Sequence, residues 1–156
     1  MLVNVLGCKN PEAAQPNVVD EIENEANGQE VDEGIWLTDY EQALSVAKEH
    51  DLPVLINFSG SDWCGWCIKL MDEVFDKEEF KAYAKENLVL LNLDFPKQSK
   101  QSKEVQAANQ ALAERYGVKG FPTVILLNSK GEVIGRTGYR DGGPKPYVEH
   151  LKQMIR

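Results

Sequence analysis

Residues 54–67 constrain the fold more tightly than any other part of this chain. A short apolar run, Val-Leu-Ile-Asn-Phe at 54–58, predicts a buried strand. The turn-forming residues Ser-Gly-Ser-Asp follow at 59–62, and Trp-Cys-Gly-Trp-Cys occupies 63–67. Apolar residues then continue at helical spacing as far as Phe75, which predicts a helix that begins at Cys64. The chain is therefore expected to carry two cysteines from the end of a buried strand to the start of a helix.

The spacing of Cys64 and Cys67 suits reversible disulfide chemistry. Residues three apart on a helix are neighbours on one face, so the two sulfurs can close a small ring. The partial positive charge at a helix N-terminus favours the thiolate of Cys64, which is the species that attacks a disulfide. Cys67 can then resolve the mixed disulfide. The same two thiolates can also hold Cu(I) or half of a tetrahedral zinc site, so the spacing alone leaves two chemistries open.

Charge is unevenly distributed along the 156 residues. Residues 1–33 carry eight acidic side chains and a single base, Lys9, whereas residues 34–156 carry 17 acids and 16 bases. The first segment is also poor in periodic apolar residues, which predicts a disordered acidic leader or tether. Residues 34–156 are long and apolar enough to form one domain with its own core. The chain has no basic patch, so we expect no nucleic-acid partner.

The order of the predicted elements indicates an α/β fold. Thr38, with Glu41 three residues later, predicts the cap of a first helix that ends near His50. The elements that follow are a strand at 54–58, helices at 64–75 and 77–86, a strand at 88–94, a helix at 105–116, strands at 123–127 and 133–136, and a helix at 146–155. Alternating strands and helices, followed by a hairpin, predict a mixed sheet flanked by helices on both faces.

Cys8 stands apart from the other two cysteines. The sequence Val-Asn-Val-Leu-Gly-Cys at 3–8 resembles the end of a bacterial lipoprotein signal peptide, in which a small residue precedes the lipidated cysteine. That resemblance implies a lipid anchor at Cys8 and an extracytoplasmic, periplasmic location. The alternative is an incidental cysteine in a cytoplasmic protein.

Four separated motifs resemble the thioredoxin-fold superfamily. They are the strand at 54–58, Trp-Cys-Gly-Trp-Cys at 63–67, Tyr-Gly-Val-Lys-Gly-Phe-Pro-Thr at 116–123, and Lys-Gly-Glu at 130–132. The sequences at 58–64 and 71–75 further resemble bacterial thioredoxin-like disulfide reductases and isomerases, relatives of the C-terminal domain of the membrane disulfide-interchange protein. The resemblance covers about residues 34–156.

The resemblance implies a role for individual residues. Cys64 would be the exposed nucleophile and Cys67 the buried resolving thiol. Pro122 would follow a cis peptide bond, face the disulfide, and present the backbone of Phe121 to an extended client strand. The substrate-binding residues would be Trp63, Gly65, Trp66, Phe121 and Pro122.

Two residues depart from the thioredoxin pattern. Asn57 stands where thioredoxins carry a buried acid, and an amide cannot accept the Cys67 proton. Water or a carboxylate would have to do so, and the acids nearest in sequence are Asp62, Asp72 and Glu73. Trp66 stands where thioredoxins have proline and protein disulfide isomerases have histidine. Because Trp66 brings no charge, we expect a moderately lowered pKa for the Cys64 thiol and a reducing-to-intermediate potential.

The favoured function is that of a protein thiol:disulfide oxidoreductase, a reductase more than an oxidase, with an isomerase as the alternative. It would need no cofactor beyond the Cys64–Cys67 disulfide, and would act as a monomer on disulfide-containing clients with an upstream thiol donor. The rival from another class is a thiolate metal-binding or copper-delivery module. The sequence holds no second Cys-x-x-Cys or Cys-His pair to complete a zinc site.

Overall fold

A computed structural model describes residues 35–156 of the chain. The helices are α1 (Tyr40–His50), α2 (Gly65–Leu70), a π-helical turn (Met71–Phe75), α3 (Glu78–Asn87), α4 (Lys103–Arg115) and α5 (Pro144–Ile155). The strands are β1 (Val54–Ser59), β2 (Val89–Asp94), β3 (Thr123–Leu127) and β4 (Val133–Thr137). The predicted leader and Cys8 lie outside the described residues.

The four strands form one mixed sheet in the order β2-β1-β3-β4. β1 pairs with β2 in parallel, and the connection between them contains α2 and α3, as a parallel crossover requires. β3 runs antiparallel to both β1 and β4, and a short turn joins it to β4. The mixed sheet predicted from the element order is confirmed.

Both faces of the sheet are covered because successive side chains of β1 point in opposite directions. Ile56 and Phe58 pack into a core cluster with residues of α1 and α4. Leu55 packs into a second cluster with residues of α2, the π-helical turn, α3 and α5. All six residues of β1 are buried, so this strand is the centre of the domain. By the same alternation, Asn57 faces the side of the sheet that carries α2.

The cap of α1 differs from the prediction. Asp39, not Thr38, is the N-cap: its Oδ1 accepts a hydrogen bond of 2.7 Å from the backbone N–H of Gln42. Thr38 is exposed one residue earlier. The helix begins at Tyr40 because that register buries Tyr40, Ala43 and Ala47 against the sheet.

The helix after the cysteines also differs from the prediction. Cys64 caps α2 instead of forming its first turn, and the α-helix ends at Leu70. The backbone then widens, with the N–H of Asp76 bonded to the carbonyl of Met71 at 2.9 Å. Within this π-helical turn the adjacent residues Val74 and Phe75 are both buried.

Among the described residues, no helix is long and apolar enough to span a membrane.

Candidate active site

Cys64 and Cys67 lie where β1 has ended and α2 begins. The pair forms a disulfide, with the two Cα atoms 5.2 Å apart. The backbone of Cys64 is extended, its carbonyl accepts from Ile68 N at 3.0 Å, and its Sγ accepts from Cys67 N at 3.2 Å. In the reduced protein, a thiolate on Cys64 would sit at this helix N-terminus, where exposed N–H groups stabilise negative charge.

Both cysteines are buried in the disulfide form. Cys64 is 6% exposed and Cys67 is 3% exposed, so the prediction that Cys64 is the exposed member of the pair is wrong for this state. In this state the sulfur of Cys64 is bonded to that of Cys67 and accepts a hydrogen bond from Cys67 N. Gly65, which follows Cys64, is exposed. A Cβ added at Gly65 would have no non-neighbouring group within 4 Å, so the start of the helix is open to solvent.

Trp63 is held firmly beside the disulfide. Its Nε1 donates to the carbonyl of Phe95 at 2.7 Å, and its ring meets that of Phe121 edge-on at 5.7 Å. The ammonium of Lys97 lies 3.8 Å from the centre of the indole ring. A Cβ at Gly60 would lie 2.5 Å from the indole, so this position accepts only glycine without moving Trp63.

The second chain segment of the site comes from the start of β3. The Phe121–Pro122 peptide bond is cis, as the resemblance implied. The Phe121 ring packs against both Trp63 and Phe95, with the ring centres of Phe121 and Phe95 5.1 Å apart. The structure therefore brings this segment, which is far away in sequence, next to the residue that precedes Cys64.

Trp66 lies against a residue to which the sequence assigned no role. Its ring centre is 5.1 Å from that of Tyr139, which follows β4. The Tyr139 hydroxyl lies 2.5 Å from a carboxylate oxygen of Glu73, and the Lys69 ammonium lies near both aromatic rings. No sequence signal identifies Tyr139, because the contact joins residues 73 positions apart and depends on the loop between β4 and α5.

Two of the carboxylates nearest to the cysteines in sequence, Asp62 and Glu73, have structural partners. Asp62 accepts hydrogen bonds from the backbone N–H groups of Lys97, Gln98 and Ser99 at 2.9, 2.8 and 2.7 Å. These bonds, that of Lys97 foremost, lower the pKa of Asp62 to about 2. Asp62 therefore stays ionised at neutral pH and fastens the loop after β2 to the turn before Cys64.

Asn57 occupies a buried polar position on the α2 side of the sheet. It is 2% exposed, and its Nδ2 donates to Asn92 Oδ1 at 3.0 Å across the parallel pair. Its own Oδ1 has no hydrogen-bond partner among the described groups. The buried Asn57 on β1 and the half-buried Asn92 on β2 thus form an amide pair without an ionisable member.

The described residues contain no group of three or more His, Cys, Asp or Glu side chains arranged to hold a metal ion. Cys64 and Cys67 thus have no further protein ligands of these types grouped with them in residues 35–156. The donor set does not fit a closed tetrahedral zinc site, which takes four protein ligands.

Comparison with known proteins identifies the family. A family model described as a thioredoxin-like domain matches residues 40–154. The chain belongs to the thioredoxin-like domain family. It is 36% identical over 117 residues to the disulfide bond reductase DsbH of Chlamydia pneumoniae, covering 75% of this chain and 70% of DsbH. A solved structure of a DsbH oxidoreductase matches with a TM-score of 0.73 at 29% identity, covering 96% of this chain and 94% of that chain.

A second relative matches over about a third of its own length. The thioredoxin-related protein DsbJ of Chlamydia pneumoniae is 34% identical over 113 residues, which cover 72% of this chain and 32% of DsbJ. The family, the Cys64–Cys67 disulfide and its place at the start of α2 together define the reaction class. This thioredoxin-like chain is a thiol:disulfide oxidoreductase.

The Asp62 contacts generate a pH-dependent prediction. The folded-state pKa is about 2, below the ordinary 3.8, so the contacts stabilise the protein fully above pH 3.8 and lose their effect as pH falls through about 2. Asp62→Asn removes the charge. We expect its free energy of unfolding to lie below that of the wild type at neutral pH, with a gap that narrows between pH 4 and pH 2.

Urea titrations at fixed pH values measure this gap. Gln98→Ala is the control, because it keeps the backbone N–H that Asp62 binds; it should follow the wild type throughout. A gap for Asp62→Asn that stays constant with pH would contradict the assigned role of the Asp62 charge.

Proposed function

We propose that the protein reduces disulfides in client proteins, with Cys64 as the attacking thiolate and Cys67 as the resolving thiol. The observation that carries this proposal is the position of Cys64 as the cap of α2, with Cys67 N 3.2 Å from its sulfur. These N–H groups favour the thiolate at the place where the reaction needs it.

The reaction balances through one mixed disulfide. The Cys64 thiolate attacks one sulfur of the client disulfide, forms the Cys64–client bond and releases the other client sulfur as a thiolate. Cys67 gives its proton to the released client thiolate or to water and then attacks Cys64 Sγ, which frees the second client sulfur as a thiolate and closes the Cys64–Cys67 disulfide. An upstream thiol donor returns two electrons and two protons to the pair. No cofactor takes part in these steps.

The direction of the reaction follows from the residues between the cysteines. Gly65 and Trp66 bring no positive charge, so the Cys64 thiolate lacks the added stabilisation that makes strong oxidants. The relative DsbH bears the name of a reductase. Both considerations favour net reduction over oxidation, and nothing in the described residues favours isomerase activity over it.

Client chains would bind across Trp63, Gly65, Trp66, Phe121 and Pro122. The contacts of Trp63 with Phe95 and Phe121 give this surface a rigid aromatic side. An extended client strand would pair with the backbone at Phe121, as in recognition by strand addition. Because these contacts use one copy of the site, the protein would act as a monomer.

We also propose that the protein works outside the cytoplasm, tethered through a lipid on Cys8. The support is the resemblance of residues 3–8 to the end of a lipoprotein signal peptide. The mass of the protein recovered from its native membrane fraction tests this: a diacylglyceryl addition on Cys8 is expected, and an unmodified Cys8 thiol would contradict the anchor.

Cysteine variants test the reductase proposal. Cys64→Ser should abolish the reduction of insulin disulfides with dithiothreitol as electron source, because no thiolate remains to attack. Cys67→Ser should instead accumulate a covalent Cys64–client disulfide, visible as a band that disappears on reduction.

Cys8→Ser is the matched control, since it removes a cysteine that takes no part in the proposed steps. It should reduce insulin as fast as the wild type. Full activity in Cys64→Ser would contradict the assignment of the nucleophile, and a wild type without insulin reductase activity would contradict the function itself.

A further inference from the structure

Trp66 is an exposed aromatic residue that the structure nevertheless restrains. The residue is 57% exposed, and its indole ring is tilted by 47° to the Tyr139 ring at a centre-to-centre distance of 5.1 Å. The Lys69 ammonium lies 5.1 Å from the centre of the Trp66 ring and 4.9 Å from that of Tyr139. More than half of the Trp66 surface thus stays accessible while two neighbours limit its motion.

Tyr139 is itself anchored to the π-helical turn. Its hydroxyl lies 2.5 Å from Glu73 Oε2, while the other carboxylate oxygen of Glu73 is 3.8 Å from Lys69 Nζ. The hydrogen bond to Glu73 is the main cause that raises the pKa of Tyr139, so the phenol keeps the proton it donates. Lys69, Glu73 and Tyr139 therefore form one connected group around Trp66.

The backbone of the Tyr139 loop is held as well. The Tyr147 hydroxyl donates to the carbonyl of Gly138 at 3.0 Å. A Cβ at Gly138 would lie 3.1 Å from the carbonyl oxygen of Pro122, so this glycine allows close approach to the cis-proline segment. Tyr139 is thus supported from α5, from the Phe121–Pro122 segment and from the π-helical turn.

The covalent bond between Cys64 and its client indicates which kind of molecule packs on the exposed Trp66 ring. A client bonded to Cys64 Sγ extends from a residue only two positions before Trp66, whose ring is exposed. A small disulfide such as oxidised glutathione ends within a few atoms of its sulfurs and offers much less surface to the indole than a polypeptide does. A polypeptide continues past them and can pack on the indole.

We propose that Tyr139, Lys69 and Glu73 are positioning residues that hold Trp66 as a preformed docking surface for the extended client segment beside the target cysteine. The inference rests on the proposed reductase function and deepens it: the group selects protein disulfides over small ones. A restrained aromatic ring loses little conformational freedom on binding, so its contact area contributes more fully to affinity.

Tyr139 variants separate binding from disulfide chemistry. Tyr139→Ala removes the supporting ring, and Tyr139→Phe removes only the hydroxyl, which is bonded to Glu73 and Asp141. With the full chain, we expect Tyr139→Ala to raise KM for insulin about two- to tenfold at unchanged kcat, and Tyr139→Phe to raise it less. The rate of reduction of oxidised glutathione and the equilibrium constant with glutathione should stay within about twofold of the wild type.

A second cation–aromatic pair provides the matched control. Lys152 lies 5.5 Å from the ring centre of Tyr83, and this pair joins α5 to α3. Tyr83→Phe and Lys152→Met should leave KM for insulin unchanged. Thermal melts of every variant identify those that fail to fold. If Tyr139→Ala does not fold, Tyr139→Phe carries the test, because it keeps the aromatic ring.

Three results would overturn the inference. The first is an equal loss of activity toward insulin and oxidised glutathione, or a shifted glutathione equilibrium, which would mean that Tyr139 acts on the disulfide itself. The second is an unchanged insulin KM in both folded Tyr139 variants. The third is a wild type that reduces oxidised glutathione but not insulin, which contradicts the proposed function before any Tyr139 variant is compared.

Discussion

The start of α2 at Cys64 is the constraint on which the rest of the site depends. The extended backbone of Cys64 ends the turn after β1, and its carbonyl and sulfur accept the first hydrogen bonds of the helix. β1 is buried along its whole length, so its end cannot shift without disturbing the core. The same bonds that begin the helix therefore set the position of the reactive sulfur and the electrostatic environment that favours its thiolate.

A second set of hydrogen bonds holds the turn before Cys64. Ser61 bonds to Asp94 through both its N–H and its hydroxyl, at 2.9 and 2.6 Å. The Asp62 carboxylate accepts hydrogen bonds from the backbone N–H groups of residues 97–99, and Trp63 Nε1 donates to the carbonyl of Phe95. These partners are the last residue of β2 and the residues directly after it, and the C-terminal end of β2 lies beside that of β1 because the two strands are parallel. The parallel pairing thus brings together the segments that shape one side of the site.

Features that depend on local periodicity could be predicted from the sequence, and features that depend on packing could not. Buried strands and amphipathic helices leave a local pattern in the sequence. The mixed sheet and the position of Cys64 between a strand and a helix could therefore be predicted. Thr38 and Asp39 are both good caps, and only the burial of Tyr40 selects between them. The π-helical turn, the burial of Cys64 and the contact of Trp66 with Tyr139 follow from tertiary packing, which no local pattern reports.

We expect the Cys64–Cys67 pair to act as a reducing centre. The measurement that tests it most directly is the equilibrium of this disulfide with the glutathione couple at neutral pH, read as the fraction of thiols alkylated or as a mass shift. We expect a potential on the reducing-to-intermediate side, between about −270 mV, as in thioredoxin, and about −200 mV. A potential near about −120 mV, as in the oxidant DsbA, would contradict it.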